Sequence, residues 1–166
     1  MQLTVPTSKD GFLLDKYSKY AQVKRAGQPV ISFPVKVTEI PQAAAGLALS
    51  LIDYDAVPRT GFPFIHWLAA NLPTESIAED FSSTFKGPQG INSWSSRFYD
   101  QDDQYVISHY AGPMLPDKPH RYTLTVYALR RPMNIANRFF YNDFRDELVD
   151  NVLAKASLVI KARAFK

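Results

Sequence analysis

The sequence predicts a mainly β fold with a few peripheral helices, one of which lies near the C-terminus. Twelve prolines separate short runs of alternating apolar and polar residues, a pattern typical of strands rather than of a helical bundle. Hydrophobic residues make up 46% of the 166 positions, which is enough for one substantial core. We therefore expect residues 1–166 to form a single domain, with its clearest helical spacing close to the end.

The strands are predicted from alternation. Leu47, Leu49 and Leu51 share one strand face, and the same alternation carries Asp53 onto it. His66 likewise aligns with apolar neighbours in the next run. The predicted strands span residues 2–5, 30–40, 46–53, 65–71, 120–129 and 158–164.

Two helices are predicted. The stronger has apolar residues at four-residue spacing, namely Phe144, Leu148, Val152 and Ala156. Asn142 or Asp143 can cap it. A weaker helical pattern spans residues 76–85, where Thr74 or Ser76 can serve as the cap.

A long polar and aromatic connection runs from residue 86 to residue 119. Connections of this length in compact domains are more often functional than not. It leads to the edge of the strand at residues 120–129, and it carries His109, Tyr110, Gly112 and Pro116. We expect it to form the wall of a pocket.

Four polar side chains point toward apolar strand faces: Asp53, His66, His120 and Tyr122. Burying such a group without a partner costs roughly 1–3 kcal/mol. We therefore expect these groups to contact one another or a ligand. Trp67 and Tyr127 fall on the opposite faces of their strands and are predicted to be packing residues.

Composition excludes several classes of function and chemistry. The net charge of +3, without a clustered basic stripe, argues against a nucleic-acid partner. The absence of cysteine excludes disulfides, thiolate nucleophiles and cysteine metal sites. Neither a secretory signal nor a membrane-spanning stretch is evident, so a cytoplasmic location without integral membrane association is the expectation.

Three motifs in order carry a resemblance to a known family. The first is Asp53-Tyr54-Asp55-Ala56-Val57-Pro58, followed by His66-Trp67 and Asn71-Leu72-Pro73; the second is the loop Tyr110-Ala111-Gly112-Pro113-Met114-Leu115-Pro116; the third is His120-Arg121-Tyr122. Together they resemble the phosphatidylethanolamine-binding proteins, whose bacterial members are described as Raf kinase inhibitor-like. The resemblance covers roughly residues 47–129.

The resemblance implies an antiparallel β-sandwich with a small anion-binding cavity at one end of its central sheet. In the family this cavity takes phosphate-like groups, including phospholipid head groups. Carried over to this chain, the ligand-binding residues would be Asp53, His66, Gly112, Pro116, His120 and Tyr122. The chain departs from the family pattern at Tyr54, Val57 and Leu115, where proline is usual, so we expect an altered rim around a retained pocket.

Such a pocket can bind an anion through imidazole, phenol and backbone N–H donors. Asp53 would orient a histidine ring rather than contact the ligand. Asp55 is expected to bind backbone N–H groups in its turn. Arg121 is expected to pair with Asp55 or Asp117, and His109 has no assigned role.

The leading hypothesis is a non-enzymatic binding protein, with no cofactor, for a small anionic or phosphorylated ligand. The alternative is a hydrolase, metal-dependent or acid–base, that uses His66, His120 and Asp53. No serine has the surroundings of a nucleophile elbow. The aromatic segment 94–110 leaves a homodimer open, and a regulatory protein partner is suggested only by the family's kinase-inhibitor name.

Overall fold

The computed structural model of the protein describes residues 1–114 and 118–164. Its strands are β1 (Gln2–Thr4), β2 (Lys24–Arg25), β3 (Gln28–Pro29), β4 (Lys36–Thr38), β5 (Gly46–Asp53), β6 (Phe64–Leu72), β7 (His120–Leu129) and β8 (Val152–Ala162). Its α-helices are α1 (Val57–Thr60), α2 (Phe81–Thr84) and α3 (Tyr141–Leu148). Single 3₁₀ turns occur at Asp15–Tyr17, Ser93–Ser95 and Val106–Ser108. The predicted mainly β fold with few helices is confirmed.

A four-stranded antiparallel sheet organises the molecule. Its strand order is β6-β5-β7-β8. Two small sheets pair β1 with β4 and β2 with β3, also antiparallel. In the central sheet Asp53, the last residue of β5, lies opposite Phe64 on one side and Tyr122 on the other. The end of β5 therefore lies beside the first residues of both β6 and β7.

Both faces of β5 are covered. Leu47, Leu49 and Leu51 pack in a core cluster that the N-terminal segment covers with residues such as Tyr17 and Phe33. On the opposite face a second cluster joins residues of the sheet to the segment before α3 and to α3 itself: Ala48, Leu68, Ala70, Leu129, Met133, Phe139 and Phe144. Because every residue of β5 is buried, its alternation separates two cores rather than a core from solvent.

The C-terminal helix is shorter than predicted. It ends at Leu148, and Val152 and Ala156 lie in β8 opposite Leu129 and Val126. A four-residue repeat of apolar positions is also compatible with the two-residue repeat of a strand, so the spacing did not distinguish the two. Asp150, with φ of 54°, reverses the chain between them.

The start of that helix also differs from the expectation. Phe140 occupies the N-cap position, so neither Asn142 nor Asp143 is the cap residue. The Asp143 carboxylate does accept a hydrogen bond from the Phe140 N–H at 3.1 Å. It thus satisfies one donor at the helix N-terminus from within the first turn.

Two other predicted elements were too long. In place of a strand over 30–40, regular pairing covers only Lys36–Thr38, because Pro34 has no N–H to donate. In place of a helix over 76–85, only Phe81–Thr84 is helical. Ile77 instead exchanges two backbone hydrogen bonds of 2.9 Å with Val35.

No helix within residues 1–114 and 118–164 has the length and apolar character needed to cross a bilayer.

The packing of α3 gives a stability prediction. Phe144 is fully buried among aromatic rings, whereas Phe140, at the start of the same helix, is 58% exposed. Phe144→Ala is expected to lower the free energy of unfolding by about 3–5 kcal/mol, and Phe140→Ala by less than about 0.5 kcal/mol. Urea denaturation of both variants measures the difference; equal losses would contradict this packing.

Candidate functional site

A buried carboxylate–imidazole pair lies at one end of the central sheet. Asp53 Oδ2 and His120 Nδ1 are 2.7 Å apart, and the two side chains are 1% and 2% exposed. A carboxylate only accepts hydrogen bonds, so the His120 Nδ1 carries the proton. The other carboxylate oxygen of Asp53 accepts from the Ala56 N–H at 3.1 Å. Asp53 thus orients His120 and fixes the turn after β5.

His66 lies next to this pair on β6. Its Nδ1 lies 2.6 Å from the carbonyl oxygen of Ala111, which can only accept, so this nitrogen is protonated and Nε2 is an acceptor in the neutral ring. Burial lowers the pKa of His66, more strongly than the Ala111 carbonyl and Asp53 raise it. The Tyr122 ring meets the His66 ring edge-on, with centroids 5.1 Å apart.

Asp53, His66 and His120 form part of the wall of a cavity of about 170 Å³. The other walls come from the turn and helix α1 after β5, from β6, and from the long connection before β7. The described lining residues are Asp53, Ala56, Arg59, Thr60, Phe64, His66, Trp94, Tyr99, Met114 and His120. One part of the cavity wall is therefore polar, with Asp53, His66 and His120, and another part is aromatic, with Phe64, Trp94 and Tyr99.

An ion pair beside the cavity ties the turn after β5 to β7. The Asp55 carboxylate accepts from the Arg121 side chain at 2.8 and 3.0 Å and from the Arg121 backbone N–H at 3.0 Å. This guanidinium lowers the pKa of Asp55 to about 2. Of the two partners expected for Arg121, the structure shows Asp55. The N–H within the turn, expected to bind Asp55, binds Asp53 instead.

The remaining expected ligand-binding residues have different positions. The Gly112 N–H donates to the Pro29 carbonyl oxygen at 2.8 Å, and a Cβ here would collide with the Tyr17 carbonyl oxygen. The described cavity wall does not include Gly112, whose role in this structure is close packing. Tyr122 is buried and contacts the His66 ring, and the described cavity wall does not include it. Pro116 lies outside the described residues, as do Leu115 and Asp117.

His109 lies apart from the cavity wall. Its Nδ1 is 3.0 Å from the Tyr105 carbonyl oxygen, and its ring stacks on the Tyr105 ring at 3.9 Å. Burial lowers the pKa of His109. Trp67 is fully buried and donates from Nε1 to Gln89, which agrees with its predicted packing role.

Several lining residues were missed by sequence reasoning. Arg59 directly follows the aspartate motif, but no pattern in the sequence shows that a short helix brings it to the cavity. The connection predicted to form a pocket wall does supply Trp94, Tyr99 and Met114. The aromatic residues of this connection are the available signal in the sequence: the connection is predicted to form a pocket wall, and its segment 94–110 also leaves a homodimer open.

A metal centre is not formed by the groups that the hydrolase alternative used. Within the described residues, no set of three or more His, Asp or Glu side chains is arranged to hold a metal ion. The two carboxylate oxygens of Asp53 accept hydrogen bonds from His120 and from the Ala56 N–H. The Nδ1 of His66 donates to the Ala111 carbonyl oxygen.

The burial of His66 predicts a pH dependence of stability. Below about pH 6.5 the unfolded chain binds a proton at His66 that the folded chain resists, so stability falls as pH falls. His66→Gln keeps an N–H donor for Ala111 but cannot titrate. Between about pH 6.5 and 5.5, wild type is expected to lose up to about 1 kcal/mol more than this variant. Urea denaturation across this range measures it; equal or steeper loss in the variant would contradict the neutral His66.

Comparison with known proteins identifies related sequences over almost the whole chain. The sequence profile of the family described as phosphatidylethanolamine-binding protein matches residues 4–163. YxkA of Bacillus subtilis is 43% identical over 160 residues, which cover 92% of this chain and 94% of YxkA.

Two solved structures share the fold. The phosphatidylethanolamine-binding protein homologue CT736 of Chlamydia trachomatis superimposes with a TM-score of 0.74 at 23% identity, covering 93% of this chain and 90% of CT736. Escherichia coli YbcL superimposes with a TM-score of 0.73 at 20% identity, covering 99% and 98%. At these identities the likeness establishes the fold.

Proposed function

The chain belongs to the phosphatidylethanolamine-binding protein family, and from this premise we propose that it is a non-enzymatic binding protein whose cavity takes a small phosphate-like anion. The observation that carries the proposal is the buried Asp53–His120 pair in the wall of a small cavity. Buried ionisable groups that are paired and face a cavity are commonly found at functional sites.

The charges around the cavity favour a negative ligand. Both oxygens of the Asp53 carboxylate are hydrogen-bonded inside the protein, to His120 and to the Ala56 N–H. The Arg59 guanidinium makes no ion pair with any described residue, so it is a positive group of the lining that an anion can contact. Proteins bind phosphate in a cavity of low polarity by surrounding its oxygens with oriented hydrogen-bond donors.

Asp53 does not oppose this function. Its two oxygens accept from His120 and from the Ala56 N–H, so both are engaged inside the protein. The carboxylate therefore fixes the orientation of the His120 ring and has no oxygen left without a hydrogen bond inside the protein.

His66 complements the pair in a different way. Since Nδ1 donates to Ala111, the neutral ring can only accept a hydrogen bond at Nε2. A protonated phosphate oxygen can donate to it, or the ring can take up a proton when the anion enters. In either case lower pH favours the complex, so the affinity for the anion should rise as pH falls.

The walls limit the size and character of the ligand. Phe64, Trp94 and Tyr99 contact one another edge-on, with centroids 4.9–5.5 Å apart, and form a rigid apolar boundary. The Trp94 indole N–H is buried without an acceptor among the described residues. A cavity of about 170 Å³ with such walls suits one tetrahedral anion.

A phosphorus NMR titration tests the proposal. Inorganic phosphate and phosphoethanolamine are titrated against wild type, His120→Ala and His109→Ala at about pH 6. Binding is expected to weaken at least about tenfold in His120→Ala, because a charge-assisted hydrogen bond is lost. His109→Ala, which alters a histidine outside the cavity wall, should bind as wild type does.

The same spectra distinguish a binding protein from a hydrolase. A binding protein leaves the phosphoethanolamine signal intact during prolonged incubation. Release of inorganic phosphate in proportion to wild-type protein, and its loss in His120→Ala, would establish the hydrolase alternative. Equal binding by wild type and His120→Ala would contradict the assigned site.

A further inference from the structure

The cavity opens into a second depression on the protein surface. Arg59, Thr60 and Tyr99 line both the cavity and an adjoining depression of about 260 Å³. The remaining walls of this depression are Phe62 and Phe98. We call these five residues the outer subsite. Because three of them belong to both spaces, a ligand in the cavity can extend directly into the outer subsite.

The outer subsite exposes a pair of aromatic rings. Phe62 and Phe98 stack with centroids 6.0 Å apart and an interplanar angle of 26°. Phe98 is 67% exposed, the highest value among the large hydrophobic residues that the structure describes. Keeping such a ring in water is unfavourable, and covering it with an apolar group would recover that free energy.

The backbone beneath these rings is held in place. Thr60 Oγ1 lies 3.0 Å from the Ala56 carbonyl oxygen and 2.6 Å from the Phe62 carbonyl oxygen, either of which can accept its single proton, and it accepts from the Phe62 N–H at 3.2 Å. Gly61, with φ of 83°, ends α1 and sends the chain back toward β6. Phe62 and Arg59 therefore have defined positions before any ligand arrives, which reduces the entropic cost of binding.

Arg59 stands at the junction of the two spaces. Two other exposed arginines are neutralised: Arg121 pairs with Asp55 at 2.8 Å, and Arg25 pairs with Asp103 at 2.8 Å. Arg59 has no ion pair among the described residues, although it lines both the cavity and the depression. A guanidinium in this position can bind the oxygens of a phosphoryl group in the cavity while its substituent leaves past Tyr99.

Resting on the proposed function, we propose that the ligand is a phosphate monoester whose aromatic or short aliphatic substituent lies against the Phe62–Phe98 pair, with Arg59 holding the phosphoryl group at the junction. The continuity of cavity and depression supplies the path, the exposed ring pair supplies the surface for the substituent, and Arg59 supplies the charge.

A ligand series on wild type tests the occupant of the outer subsite. Inorganic phosphate, phosphoethanolamine and phenyl phosphate are compared by titration calorimetry at one pH and salt concentration. Phenyl phosphate is expected to bind at least about tenfold more tightly than inorganic phosphate, because its ring removes apolar surface from water. Phosphoethanolamine, whose substituent is polar and charged, should show little of this advantage.

Two variants, each with a matched control, locate the effect. Phe98→Ser should remove the advantage of phenyl phosphate and leave the affinity for inorganic phosphate unchanged. Its control is Val159→Ser, which truncates another exposed apolar side chain, on β8.

Arg59→Gln should weaken the binding of all three ligands about tenfold or more. Its control is Arg131→Gln, an exposed arginine beyond the far end of β7. Thermal unfolding of each variant verifies folding.

The outcomes separate this inference from the proposed function. If wild type binds none of the three phosphates, the proposed function itself fails. If inorganic phosphate binds but phenyl phosphate gains nothing, or Phe98→Ser keeps the gain, the outer subsite is overturned while the anion cavity stands. If Arg59→Gln binds phosphate as Arg131→Gln does, the role of Arg59 is overturned.

Discussion

The hydrogen bond between Asp53 and His120 is the interaction on which the site depends. It joins the end of β5 to the beginning of β7 inside the protein, where neither side chain reaches bulk water. The antiparallel register makes the contact possible, because it pairs Asp53 with Tyr122, two residues beyond His120. Removing either partner would break a hydrogen bond between two buried side chains, so the pair links the integrity of the fold to the chemistry of the cavity.

Asp53 and Asp55 belong to one motif but bind different partners, because β5 ends between them. Asp53 is still in β5 and is buried, so it acts inside the cavity and on the turn. Asp55 lies beyond the strand and holds Arg121 at the surface. Arg121 is thereby neutralised, and Arg59 is the arginine among the described residues that line the cavity. The positive charge offered to a ligand thus depends on how the neighbouring charges are paired.

Sequence reasoning located the strands that carry the site more accurately than the elements around them. The bounds of β5 and β7 follow from the alternation of their residues, and both agree with the structure. Beyond Leu148 the apolar spacing is compatible with a helix and with a strand. The segment forms strand β8 because it pairs with β7. Arg59 and Tyr99 lie on irregular segments, whose positions depend on contacts such as those of Thr60 rather than on local periodicity.

The chain has three histidines, which makes a direct test of the central claim possible. Proton–nitrogen correlation spectra of the imidazole rings, recorded while phosphate is added, report each histidine separately. If the cavity binds the anion, the resonances of His66 and His120 shift saturably with one dissociation constant, and those of His109 stay in place. Unchanged resonances of His66 and His120 at saturating phosphate would contradict an anion site at the Asp53–His120 pair.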